Sequence, residues 1–593
     1  MEQESSIRIS PVQSLNGSLD PRLSFVWLPP IGDGTPAPRT FDNSLQGYIT
    51  VTIENLTTGV TLDQLEILAN SESNYRVNWR ARNVQPGDQV QFLVEVNEVT
   101  RNGVELSPIE LDPVVVTVAP NTFLNNQNVP IRFRIDNDPV IRARQLNIQG
   151  DTATQIAEQL NAEFFLTFQQ SALILTNEAF TALEVAGAIV TVFDLGVSET
   201  ANLLRSLGFD VIGIAQALQQ VFGLGAQAAA TILKDIGFVV TEVAQALQQV
   251  FGLGAQVASL ILKAIGFVAN EISAALQEVF ALTAQATAEV LKAIGFVANE
   301  IAAALQQVFG LAAQAAANIL KAIGFVANEI AAALQQVFGL AAQAAANILK
   351  VIGFIANEIA AALQQVFGLA ALAAAEVLKV IGFVVNEIAA ALQQVFGLAA
   401  LAAAEILKGI GFVVNQIAAA LQQVFGLAAL AAAEILKGIG FVANQIAAAL
   451  QQIFGLAALA AAEILKGIGF VVNEIAAALQ QVFGLAAQAA AIILNAIGVA
   501  FNEIATVLQQ VFESSLLQIS QILRDAFSFS AEAIAQLLNS VFDVTNDIVA
   551  SILNDLGYAL EEIGEALEDV FGDVGEFFCD LVSDIPVIGD LFC

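Results

Sequence analysis

A glycine recurs every 29 residues, at Gly208, Gly237, Gly266, Gly295, Gly324, Gly353, Gly382, Gly411, Gly440, Gly469 and Gly498, and the residues between scarcely change. Residues 295–323 read GFVANEIAAALQQVFGLAAQAAANILKAI, and residues 324–352 repeat them with one difference, Val351 in place of Ala322. A fixed period of this length means small units stacked in a line, each unable to bury its apolar face alone. Such an array offers a long surface rather than a pocket.

Two helices fit in each unit. The first, near residues 299–309, sets Ile301, Ala304, Leu305, Val308 and Phe309 on one face, with Glu300, Ala303, Gln306 and Gln307 on the other. The second, near residues 312–323, turns Ala312, Ala316, Ile319, Leu320 and Ile323 inward and Gln314, Asn318 and Lys321 outward. Both keep the i, i+3, i+4, i+7 spacing of amphipathic helices. Gly310 and Gly324 fall where a left-handed residue ends a helix. Helices of ~18 Å cannot persist alone in water, so the pattern predicts an α-solenoid, with about 14 units reaching on the order of 100–150 Å.

Apolar residues make up 56% of the chain, and the mean hydropathy is +0.69. A membrane span needs roughly 20 apolar residues in a row; here Glu, Gln, Asn or Lys interrupts every stretch, so no span is expected. The net charge of −34 opposes nucleic-acid binding. There is no histidine, no Ser/His/Asp set and no phosphate-cradling loop. The chain reads as a non-enzyme with no cofactor. Its start, MEQESSIRIS, has no basic and apolar leader directing secretion.

Residues 1–140 follow another grammar. The segments 47–54, 75–81, 89–96, 114–118 and 129–136 alternate apolar with polar residues, and Pro86-Gly87-Asp88 and Arg101-Asn102-Gly103 mark turns between them. This predicts a β-sandwich, with Trp79 and Phe133 in its core and Trp27 on an edge strand. The segment YRVNW (75–79), the Asn102-Gly103 turn and the closing strand VPIRFRI (129–135) resemble an immunoglobulin-like module of bacterial secreted and cell-surface proteins over roughly residues 45–136. The resemblance implies an extracellular or cell-surface setting and a glycan or protein partner for the sandwich, and it implies no catalytic residues.

The expected organisation is therefore a β-sandwich over 1–140, a linker and irregular helical N-cap over 141–192 with Pro139 in the linker region 136–144, a regular array over 193–512, and divergent acidic repeats with a C-terminal cap over 513–593. In that last part Ser530 and Thr545 read as helix N-caps, and acidic residues gather from Glu561 onward.

Several side chains recur as columns. Asn270, Asn299, Asn328, Asn357, Asn386, Asn415, Asn444, Asn473 and Asn502 form a polar ladder, followed by Glu or Gln at the next position. It is either a groove for an extended partner or a set of helix caps bonded to neighbours. Its sparse carboxylates exclude calcium. Lysines from Lys234 to Lys466, several with a Glu three residues earlier, read as a solvated stripe. A third column is Gln314, Gln343 and Gln488 in some repeats but Leu372, Leu401, Leu430 and Leu459 in four consecutive ones. This apolar strip is read as a lateral self-association surface; the alternative is that curvature of the array buries it. Cys579 and Cys593 could close one disulfide loop in an oxidising setting, or remain free thiols.

The leading expectation is a structural or adhesive surface protein, a sandwich head on a solenoid stalk that forms homo-oligomers or filaments. The alternatives are a scaffold binding an extended peptide or glycan, and a membrane-perturbing protein.

Overall fold

Period-two burial builds the first layer. In β2 (Ile49–Asn55) and β6 (Gln89–Val96) alternate residues are buried, among them Ile49, Val51, Ile53, Val90, Phe92, Val94 and Val96. The computed structural model describes Phe25–Leu28 and residues 47–66, 68–69, 75–117, 128–135 and 138–572. Cys579 and Cys593 lie outside the described residues, as does the side chain of Phe133. The chain divides into two compact units, Met1–Gly310 and Leu311–Cys593.

In the first unit, β1 (Phe25–Leu28), β10 (Asn128–Ile135), β5 (Tyr75–Arg80) and β4 (Leu68–Ala69) form one antiparallel sheet in that order. The other sheet runs β3 (Val60–Glu66), β2, β6, β9 (Ile109–Thr117). Trp79 of the first sheet is 1% exposed and meets Phe92 of the second edge-on, with ring centroids 5.6 Å apart. The two sheets therefore share one core, as a sandwich does. Trp27 sits on an edge strand as expected. The short hairpin of β7 (Val99–Arg101) and β8 (Val104–Leu106) turns through Asn102 and Gly103, both with positive φ (51° and 77°). That geometry suits the tight turn for which Asn-Gly is favoured.

Pro139 does not belong to a linker. Asp138 accepts the amides of Val140 and Ile141, and Pro139 opens α1 (Pro139–Gln149), where its missing N–H costs nothing. Ile141 is buried within the sandwich core, and Ile148 packs against it. The helical region thus starts by completing the β domain.

Thirty helices, α1 to α30 (Leu560–Phe571), follow one another among the described residues. Most are ten residues long and alternate between two kinds. In α12 (Ala298–Gln307) the buried set is Ala298, Ile301, Ala302, Ala304 and Leu305. In α13 (Ala313–Ala322) of the second unit it is only Ala316, Ala317 and Leu320. The expected faces need correction at their ends. Val308, Phe309, Ile319 and Ile323 are half-buried and Ala312 is exposed; all but Ile319, which lies within α13, fall outside the ten-residue helices.

The stops are chemical. Gly324 adopts φ 86°, its amide bonds the Lys321 carbonyl at 2.8 Å, and the Phe325 amide bonds Leu320 at 3.0 Å. These are the paired bonds of a Schellman motif, which needs a left-handed residue. The starts are weaker. The N-cap residues of the regular repeats are mostly valine or alanine, with no capping oxygen, as at Val326 and Ala341. Poor caps cost helix stability, so these helices depend on burial against their neighbours.

Candidate functional site

What joins one repeat to the next is polar, and it lies in the columns singled out from the sequence. The lysine column is not a solvated stripe. Lys234 and Lys263 in the first unit donate from Nζ to the carbonyls of Ile265 and Ile294 at 2.6 and 2.7 Å. In the second unit Lys321, Lys350, Lys437 and Lys466 reach Ile352, Ile381, Ile468 and Ile497 at 2.5–2.6 Å, and Lys379 and Lys408 bond Ile410 and Ile439. Each acceptor belongs to the next helix of the same kind, at its C-terminal end, where carbonyls lack intrahelical partners and attract positive charge.

Through most of the column the same amine covers an aromatic ring of the next repeat, the position facing Lys466 being Val499. Lys263 lies 4.3 Å from the Phe296 centroid, and Lys350 lies 4.7 Å from that of Phe383. The carbonyl and the ring together make the lysine a clamp. Arginine stands in register with the column at two further positions. Arg205 Nη2 donates to the Gly237 carbonyl at 2.8 Å beneath Phe238, and Arg524 bonds the Leu556 carbonyl. Neither arginine was picked out from the sequence.

The asparagine ladder is not a set of caps. Each Asn sits two residues past the N-cap, and for Asn270, Asn328, Asn357, Asn386, Asn415, Asn444 and Asn473 the side-chain amide donates to a glutamine 37 residues on. The pairs include Asn328–Gln365 and Asn357–Gln394 at 2.5 Å, Asn386–Gln423 and Asn415–Gln452 at 2.6 Å, Asn444–Gln481 at 2.5 Å and Asn473–Gln510 at 2.8 Å. Asn270 bonds Gln307 likewise in the first unit. The Glu or Gln beside each Asn from Asn270 to Asn473 supplies the capping contact instead, accepting the N-cap amide, as Glu329 does from Val326 at 3.0 Å. The position of Asn502 in α26 (Phe501–Gln510) matches the ladder.

Leu372, Leu401, Leu430 and Leu459 are exposed, at 48%, 47%, 48% and 41%. Each is the second residue of its helix: α17 (Ala371–Val380), α19 (Ala400–Gly409), α21 (Ala429–Gly438) and α23 (Ala458–Gly467). A second apolar column went unremarked in the sequence. Val326, Ile355, Val384, Val413, Val442 and Val471 stand 56–64% exposed at successive N-caps.

The junction between sandwich and helices has its own polar centre. Arg144 of α1 pairs with Glu178 at 2.8 Å, with side chains 6% and 2% exposed, and donates to the Ser107 carbonyl at 2.9 Å. Asn147 adds a bond to the same carboxylate at 2.9 Å. From the β7–β8 turn, Asn102 donates to Glu184 at 2.8 Å and Arg101 covers Phe180 at 4.2 Å. Burial pushes the Glu184 carboxyl up. Bonds from the Thr181 amide and hydroxyl and from Asn102, with the Arg101 charge, more than offset this and hold it below its ordinary value.

Among the described residues no group of three or more acidic or cysteine side chains is arranged to hold a metal ion, and no helix is long and apolar enough to cross a membrane. The side chains in these ladders hold the fold, and none is a nucleophile set beside a base. No protein-family model matches the chain, and no curated protein matches it.

Proposed function

We propose that this is a non-enzymatic structural protein: a spacer or scaffold whose repeat array holds the β-sandwich as a recognition head. The observation that carries it is the consumption of the polar columns within the array. Lysine amines and asparagine amides that could line a ligand groove are spent joining one repeat to the next. Near-identical repeats suit a role in which length and uniformity matter more than one unique site. The likeness of residues 45–136 to immunoglobulin-like modules of bacterial secreted and cell-surface proteins supports a place outside the cell or at its surface, with a glycan or protein as the partner of the head.

The test is small-angle scattering of the full chain and of variants lacking one, two and three repeats, starting with deletion of residues 324–352. A constant loss of maximum dimension per deleted repeat, with helicity per residue unchanged, supports a spacer. A maximum dimension that does not respond to repeat number overturns it.

A further inference from the structure

The four exposed leucines come with a change of charge. In the repeats that carry Gln314 and Gln343, the residue four positions on is Asn318 or Asn347; in the leucine repeats it is Glu376, Glu405, Glu434 or Glu463. All four glutamates are exposed, and the described residues give them no ion pair or hydrogen-bond partner. The lysine three residues after each, which the sequence offers as a partner, donates to the carbonyl of Ile410, Ile439, Ile468 or Ile497 instead. Consecutive helices of this kind pack side by side. At the usual ~8–10 Å between helix axes the leucines form a row with steps of that size. The glutamates form a second row about 6 Å along each helix.

A second copy of this chain is a poor occupant. It brings the same carboxylates on a chain of net charge −34, and the lysines of its strip are already engaged. From the geometry and the charge together we infer that the strip binds a basic amphipathic helix of another protein. An apolar residue every seven positions advances about 10.5 Å along such a helix, close to the leucine step. The glutamate row runs beside the leucine row, and a Lys or Arg four positions on, turned about 40° to one side of the apolar stripe, faces it. The inference is independent of the spacer reading, since a spacer with a bare strip remains a spacer.

The probe is a 28-residue amidated peptide with leucine every seven positions, lysine four residues after each and alanine or glutamine elsewhere. A control peptide carries glutamate in place of lysine. Binding to the full-length protein is followed by fluorescence anisotropy at low and high salt. The lysine peptide should bind and the control should not. The Leu372→Gln, Leu401→Gln, Leu430→Gln, Leu459→Gln quadruple variant, which restores the residue of the sister repeats, should weaken binding at least about tenfold. A quadruple Glu→Gln variant at 376, 405, 434 and 463 should weaken it and flatten its salt dependence. Equal affinity for wild type and the leucine variant would mean unspecific attraction to an acidic chain and overturns the proposal. So does the absence of binding, or a leucine variant that loses self-association in sedimentation while still binding the peptide.

Discussion

Replacing Lys350 with methionine removes the ammonium but keeps a flexible apolar stem of similar length, so the substitution isolates the clamp. Two contacts disappear: the bond to the Ile381 carbonyl at 2.6 Å and the cation over Phe383 at 4.7 Å. A hydrogen bond to a charged group contributes about 1.5–3 kcal/mol, and a cation–π contact whose cation stays open to water about 0.5–1 kcal/mol. Lys350 is only half-buried, so water screens the charge and re-solvates the freed carbonyl. The expected net cost is therefore about 1–2 kcal/mol. A global melting temperature is the wrong readout, because long repeat arrays need not unfold in one step. Hydrogen exchange reads the clamp locally, at the Gly382 and Phe383 amides, which close the helix end on Lys379 and Leu378 at 2.9 and 3.0 Å. Their protection should fall roughly 5- to 30-fold. Lys350→Arg should restore most of it, since Arg205 makes the same two kinds of contact, with the Gly237 carbonyl one residue further on and with the Phe238 ring. Unchanged exchange in the methionine variant, or equal damage from arginine, would refute the assignment.

Three other predictions follow from single sites. Ala281 occupies a position where most repeats have glycine and holds φ 54°, so Ala281→Gly should stabilise the surrounding repeats by about 0.5–1 kcal/mol in denaturant titration, the left-handed strain exceeding the added chain entropy. Arg144→Met should cost about 3–5 kcal/mol by stranding buried Glu178, whereas Arg144→Met with Glu178→Leu should recover most of it; a double-mutant cycle on chemical denaturation measures the coupling. Glu184 has a depressed folded-state pKa, so the stability it contributes is present above the ordinary carboxylate value and lost as pH falls through the folded one. Thermal unfolding of the first unit should therefore lose stability more steeply below about pH 4.5 in wild type than in Glu184→Gln, and parallel curves would show that the carboxylate contributes nothing.

The array is legible in the sequence because each helix is set by local events. Glycine in the left-handed conformation stops it, alternating faces bury it, and both recur every 29 residues. The start of the helical region misleads because proline marks a break or a first turn equally well. Asp138 decides between them through two backbone bonds. The use of the lysines is less legible because a side chain that fits a solvated i, i+3 pair fits a contact 31 residues away just as well.

A signal for the longer contact was nevertheless present. The ends of the columns agree only in part: Asn495 has Ser528 rather than phenylalanine 33 positions on, but Lys466 already has Val499 there. One repeat before Asn270 the column holds Thr241, with Glu278 in place of glutamine 37 positions on, whereas Asn502 at the far end keeps its asparagine with Asn539 at that distance. In a repeat protein the units are near-copies, so agreement between columns carries little weight where both are constant. Only an exception shared by two columns carries information: Thr241 with Glu278 points to an interface that the period alone cannot separate from a solvated face, while Lys466 with Val499 does not follow that rule. Leucine and glutamate stand together in four consecutive repeats, while Glu289 lies beside Gln285 and is bonded by it; only in the four leucine repeats does the surface offer an apolar and an acidic row at once, and a partner of that strip has to meet both.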